Sequence, residues 1–217
     1  MKLSEIDPDL SAQVPPYTLS CAAESIERAA ATTCPLPLAS NSSAATPCSL
    51  PPAPCPPRLL VIAYGNSLRR DDGAGIGLAS ILVKQWRACG LKVRYVVVPQ
   101  LTPELTVEIA DPTVMGVVFV DTAQAELLPT IKMQAIQLDL ATPSISHYLD
   151  PAGLLLYAHL LEDYARAAWV VSVPGVDFGY GEGFSQPVRA LLCDAPQLAL
   201  EFLAQIQERL REQVQYA

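Results

Sequence analysis

Two carboxylates and one imidazole stand out in this chain, because each follows a run of apolar residues and each is able to bind a metal or move a proton. Asp72 closes the run Gly65-Asn66-Ser67-Leu68-Arg69-Arg70-Asp71-Asp72, which follows the aliphatic stretch 58–64. Asp121 ends the apolar stretch 114–120, and His147 lies in the polar loop Ser144-Ile145-Ser146-His147. Each has a plainer reading when taken alone. Asp72 stands at a helix start, where a carboxylate caps free N–H groups and favours the helix dipole, and Asp71 competes for that role. Asp121 is either exposed at a sheet end or paired. His147 is a loop histidine, and His159, inside LLLYAHLLEDY, is a packed or surface histidine. Taken together, Asp72, Asp121 and His147 make a site for a divalent cation with open positions. Imidazole suits nickel and zinc and carboxylates accept many cations, so the residue types do not select the metal.

Other chemistries fit less well. The chain has no HExxH and no GxSxG, which removes the usual zinc-protease helix and the nucleophile elbow. Gly73, Gly75 and Gly77 hint at a phosphate-binding turn, but their spacing is not that of GxGxxG. They more simply let a helix approach a sheet closely. Cys21, Cys34, Cys48 and Cys55 form no CxxC pair and signal no zinc ribbon. Cys89 and Cys193 are isolated and read as small apolar core or helix residues.

The elements that must position these residues follow from periodicity. Apolar runs at 58–64, 92–99, 114–121 and 167–175 read as strands, those at 58–64, 114–121 and 167–175 being buried on both faces. The segment 131–140 alternates apolar and polar and reads as a half-exposed edge strand. Helices are expected over 73–89, from Thr102-Pro103 to about residue 110, and from Asp150-Pro151 to about residue 165. A C-terminal helical region opens at Ser185-Gln186-Pro187 and is expected to break or kink near Pro196. Strands alternating with helices predict an α/β fold with a mostly parallel sheet whose order begins 2-1-3. In such a sheet ligands sit beyond the carboxyl ends of strands where the order reverses. Asp72 and Asp121 are placed there.

Composition bounds the rest. Residues 1–57 hold 11 of the 20 prolines, 4 of the 6 cysteines and none of the 11 glycines, and read as a disordered or polyproline-like extension. A domain over 58–217 follows. The formal net charge of −8 offers no electrostatic footprint for nucleic acid or an anionic membrane. No run fits a transmembrane helix. The first 13 residues carry acids and no apolar stretch, so no secretory signal is read and a cytoplasmic protein is expected.

The run LLVIAYGNSLRRDDGAGIGLA resembles the first motif of the [NiFe]-hydrogenase maturation proteases: a strand, GN, a Leu-containing loop and D-D/E-G-x-G. VVFVDTA resembles the family's second motif, SISHYLDPAGLLLYA its histidine segment, and GVDFGYGEGFSQPVRAL its closing segment. The last departs from the family in Phe184 and in Gln186 before the proline. The resemblance covers about residues 58–210, and its form is most similar to proteases serving bidirectional, NAD-linked hydrogenases. It implies a twisted five-stranded, three-layer sheet with helices on both faces and one antiparallel edge strand. It also implies a hydrolase, a monomeric endopeptidase that removes the C-terminal extension of the hydrogenase large-subunit precursor after nickel insertion. Asp72, Asp121 and His147 would be its metal-binding and catalytic residues. The nickel would be carried by the substrate and bound transiently, with no cofactor held permanently. Asn66 and Asp71 would shape the loop around them. Two other readings remain: a nickel-dependent assembly chaperone that would use the same three residues without cutting, and a nucleotide-binding α/β protein that would use the helix start at 73–77, where Asp71 and Asp72 would repel an anion.

Overall fold

A computed structural model describes residues 57–125, 130–138, 149–162 and 166–216. The chain divides into two units, Met1–Pro54 and Cys55–Ala217. The first lies outside the described residues, and with it the reading of 1–57 as an extension.

Within the second unit a five-stranded sheet has the order β2-β1-β3-β5-β4. Its strands are β1 (Arg58–Tyr64), β2 (Val93–Val98), β3 (Val114–Gln124), β4 (Lys132–Ala135) and β5 (Ala167–Gly175). β1 pairs parallel to β2 and β3, and β3 parallel to β5. β4 joins β5 antiparallel at the edge, as its alternating pattern predicted. Its four residues are far fewer than the ten over which alternation ran.

The side-chain alternation of the central strands divides the core in two. Leu59, Val61 and Ala63 of β1, with Val118 and Val120 of β3, face helices α1 (Ala74–Ala88) and α4 (Gln186–Tyr216). Leu60 and Ile62, with Val117 and Phe119, face α2 (Leu105–Ile109) and α3 (Pro151–Glu162). Three layers result, the helices covering both faces of β1 and β3. Each fully buried Leu or Ile contributes about 2 kcal/mol by leaving water. The indole N–H of Trp86 on α1 donates to the carbonyl of Ala199 at 2.7 Å and clasps α1 to α4.

Two expectations are narrowed. α4 is one continuous helix of 31 residues that contains Pro196, with no break there. Pro196 is exposed while Val188, Leu192, Ala195, Ala199, Phe202 and Ile206 are buried, so the lost N–H bond falls on the solvent side of a helix held by packing. Of core or helix positions, Cys89 and Cys193 take the second, and both are exposed. Cys89 is the C-cap of α1, where the chain leaves the packed face.

Candidate functional site

β1 gives out before β3 does. Their pairing ends at Ala63 opposite Val120, whereas β3 continues beside β5 from Asp121 opposite Ser172 to Gln124 opposite Gly175. Asp121 is therefore the first β3 residue beyond β1, and it lies inside the strand and not after it. The chain between β1 and α1 turns back over this place, at the switch point where β1 is flanked by β2 and β3.

Glycines permit the close approach. A side chain on Gly65, whose φ is +140°, would bring its Cβ within 2.2 Å of the Asp72 carbonyl oxygen. A Cβ on Gly75 would lie 2.8 Å from the backbone carbonyl carbon of Asp121. The start of α1 thus rests directly on Asp121, which is the role read for these small residues in the sequence. The Thr122 hydroxyl completes the seam. It accepts the Gly75 N–H at 2.9 Å and reaches the Asp72 carbonyl at 3.4 Å.

Asp72 lies in a 3-10 turn, Arg70–Gly73, just ahead of α1. It caps neither element. Its carboxylate accepts the Asn66 N–H at 3.0 Å, and the Asn66 side chain in turn accepts the Leu68 N–H at 2.9 Å. Asn66 therefore shapes this loop. Asp121 is half-buried, and its Oδ1 accepts the Thr122 N–H at 2.7 Å. Burial pushes its carboxyl above the usual carboxylate range, and the charge of Asp72 pushes the same way. The Thr122 N–H and the Tyr64 hydroxyl oppose the rise by hydrogen bonding to the carboxylate. Tyr64 is itself raised, first by burial, then by the charge of Asp121 and more weakly by that of Asp150.

Two carboxylates 49 residues apart in sequence are thus brought to one edge of the sheet. Among the described residues no group of three His, Cys, Asp or Glu side chains is placed to hold a metal ion. His147, the third expected ligand, lies outside the described residues. Tyr64 is a site residue the sequence reading missed, and Thr122 is one to which it gave no role. Tyr64 ended a buried strand and Thr122 followed an acid, and neither carries a motif of its own.

Asp71 does more than shape a loop. It is fully buried, and its carboxylate gathers three backbone N–H groups from one distant segment. Oδ2 accepts from Val176 at 3.0 Å and Asp177 at 2.9 Å, and Oδ1 accepts from Ser185 at 2.7 Å. Burial works against its ionisation, but these N–H groups outweigh burial and hold the carboxyl below its ordinary value. A groove of 280 Å³ lined by Met133, Trp169, Gln205 and Glu208 lies toward the amino-terminal end of β5, and no candidate residue lines it.

No family model matches the chain, and no curated protein matches it. Solved structures of similar shape include a hydrogenase 2 maturation peptidase from a Thaumarchaeota archaeon, 21% identical with a TM-score of 0.48, which covers 67% of this chain and 97% of that one. The hydrogenase maturating endopeptidase HybD from E. coli is 18% identical with a TM-score of 0.48, over 68% of this chain and 93% of its own. A [NiFe] hydrogenase maturation protease, HycI, from Thermococcus kodakarensis is 21% identical with a TM-score of 0.48, over 70% and 92%. At such identities and scores the likeness is one of general shape and leaves function to be argued from the residues.

Proposed function

We propose that the chain is an endopeptidase that removes the C-terminal extension of a [NiFe]-hydrogenase large-subunit precursor once nickel is in place, and that it is of the type serving bidirectional, NAD-linked hydrogenases. The observation that supports this reading is the meeting of Asp72 and Asp121 at the end of β1 and β3, within the segments that resemble the family's first two motifs. Two like charges held together at a half-buried edge favour a cation, which relieves their repulsion. Their oxygens are hard donors, and with no thiolate among them they suit a transient visitor better than a resident ion. His147 is the third ligand in this reading, on the strength of its sequence segment. The nickel is the substrate's cargo. Asp72, Asp121 and His147 would hold it there, and it would supply Lewis acidity to the scissile carbonyl or to the water that attacks it, with a carboxylate as the alternative base. Tyr64 and Thr122 hold Asp121 in place, and Asn66 holds Asp72.

The test is incubation of the full chain with nickel-loaded and nickel-free precursor, followed by intact mass. The loaded precursor is expected to lose its extension and the nickel-free one to stay whole. Binding of the loaded precursor with no change in mass would identify an assembly chaperone instead.

A further inference from the structure

We propose that the loop 176–185 is the wall that grips the protein substrate through Val176 and Tyr180, with Asp71 as the positioning residue that sets this wall beside Asp72. The inference rests on the endopeptidase reading above and assigns the part of the site that holds the polypeptide.

The loop leaves β5 at Gly175 and ends at α4, and it folds against the turn that carries Asp72. Gly181 bridges Arg69: its N–H donates to the Leu68 carbonyl at 2.9 Å, and its carbonyl accepts the Arg70 N–H at 3.0 Å. The Asp71 N–H donates to the Asp177 carbonyl at 3.0 Å. The Arg70 guanidinium pairs with the Asp177 carboxylate, and Arg69 donates to the Phe178 carbonyl at 3.3 Å. Arg70 is held at φ 45°, a left-handed conformation that a non-glycine residue keeps only when its surroundings impose it. At the centre is the Asp71 carboxylate with its three N–H donors.

This hydrogen-bonded backbone displays large apolar side chains to water. Tyr180 is 89% exposed and Val176 53% exposed, and Leu68 on the adjoining turn is 61% exposed. With the backbone already held, docking orders only these side chains, which favours binding over a loop that would have to be ordered as well. Arg70 pairs with Asp177, and the exposed Arg69 and Glu182 stand beside the loop's bridge at Gly181, so Val176, Tyr180 and Leu68 offer an apolar contact with charge at its border. It suits an apolar segment of the precursor beside the bond to be cut. Asparagine cannot replace Asp71. With its oxygen facing Val176 and Asp177, its NH₂ would face the Ser185 N–H, donor against donor.

The experiment is cleavage of nickel-loaded precursor over a range of precursor concentrations, with melting curves alongside. Tyr180→Ser and Val176→Ser are each expected to raise KM about fivefold or more, with kcat within about twofold, the pattern of lost substrate binding. Their melting temperatures should match the parent, since both side chains face water. Asp71→Asn should raise KM and lower the melting temperature. Added to Tyr180→Ser it should raise KM by much less than it does alone, because both act through one loop. Leu160→Ser, on the exposed face of α3, should match the parent throughout. Unchanged KM in Tyr180→Ser and Val176→Ser would overturn the gripping wall, and this holds even if Asp71→Asn fails to fold. Additive effects of Asp71→Asn and Tyr180→Ser would overturn the positioning role. A parent that cuts while the variants equal it sinks this inference alone, and a parent that leaves the loaded precursor whole sinks the endopeptidase reading with it.

Discussion

At the scale of residues, neighbouring acids in one turn have opposite fates. Asp71 points inward and collects N–H donors, whereas Asp72 stays partly in water and meets Asp121. The pH dependence separates Asp71 from Asp121. The folded value of Asp71 lies below its ordinary 3.8, so its bonds add stability that is fully present above the unfolded value and lost as pH falls through the folded one. Asp121 is raised, so it costs stability at neutral pH, and that cost disappears as pH falls below its ordinary value. Asp71→Asn is therefore expected to melt lower at pH 7 and to lose less stability than the parent below about pH 4. Equal acid-side slopes for variant and parent, read from melting temperatures against pH, would contradict the bonding described. Asp72 and Asp121 were legible as candidates because each follows an apolar run. The role of Asp71 was not, because its partners are backbone N–H groups more than 100 residues away, which leave no mark on side-chain pattern.

At the scale of elements, the site is a contact between the start of α1 and β3, and Gly75 is the residue that permits it. A methyl group there meets the Asp121 backbone at 2.8 to 3.1 Å, so either α1 or β3 must shift. Gly75→Ala is expected to lower the melting temperature, by an amount corresponding to about 1–3 kcal/mol, and to slow processing by moving Asp72 away from Asp121. A variant with full activity and full stability would show the contact to be looser than described. Element types and order followed from periodicity, since each central strand had to be covered on both faces. Boundaries were harder. The polar pair Asp121-Thr122 reads as a strand end, yet pairing with β5 carries β3 on to Gln124. Pro196 reads as a break or kink, yet packing of Ala195 and Ala199 on either side carries α4 through it without a break.

At the scale of the whole molecule, the described sheet and both halves of its core are built from residues 58 onward. The first 57 residues are rich in proline and alanine and have no glycine, a composition from which little ordering is expected. Removal of residues 1–56 is expected to leave the melting temperature within about 2 °C of the parent; a larger fall, or an insoluble product, would show that the segment packs on the domain. The central claim is that Asp72 and Asp121 jointly receive the substrate's metal. The most direct test is the intact mass of nickel-loaded precursor after incubation with the parent, Asp72→Asn and Asp121→Asn. Asparagine keeps the shape of each side chain and removes its charge. The parent should remove the extension, and each variant should slow removal by about 100-fold or more while melting no lower than the parent, because a repulsion has been relieved. Processing at the parent rate by both variants would contradict the account.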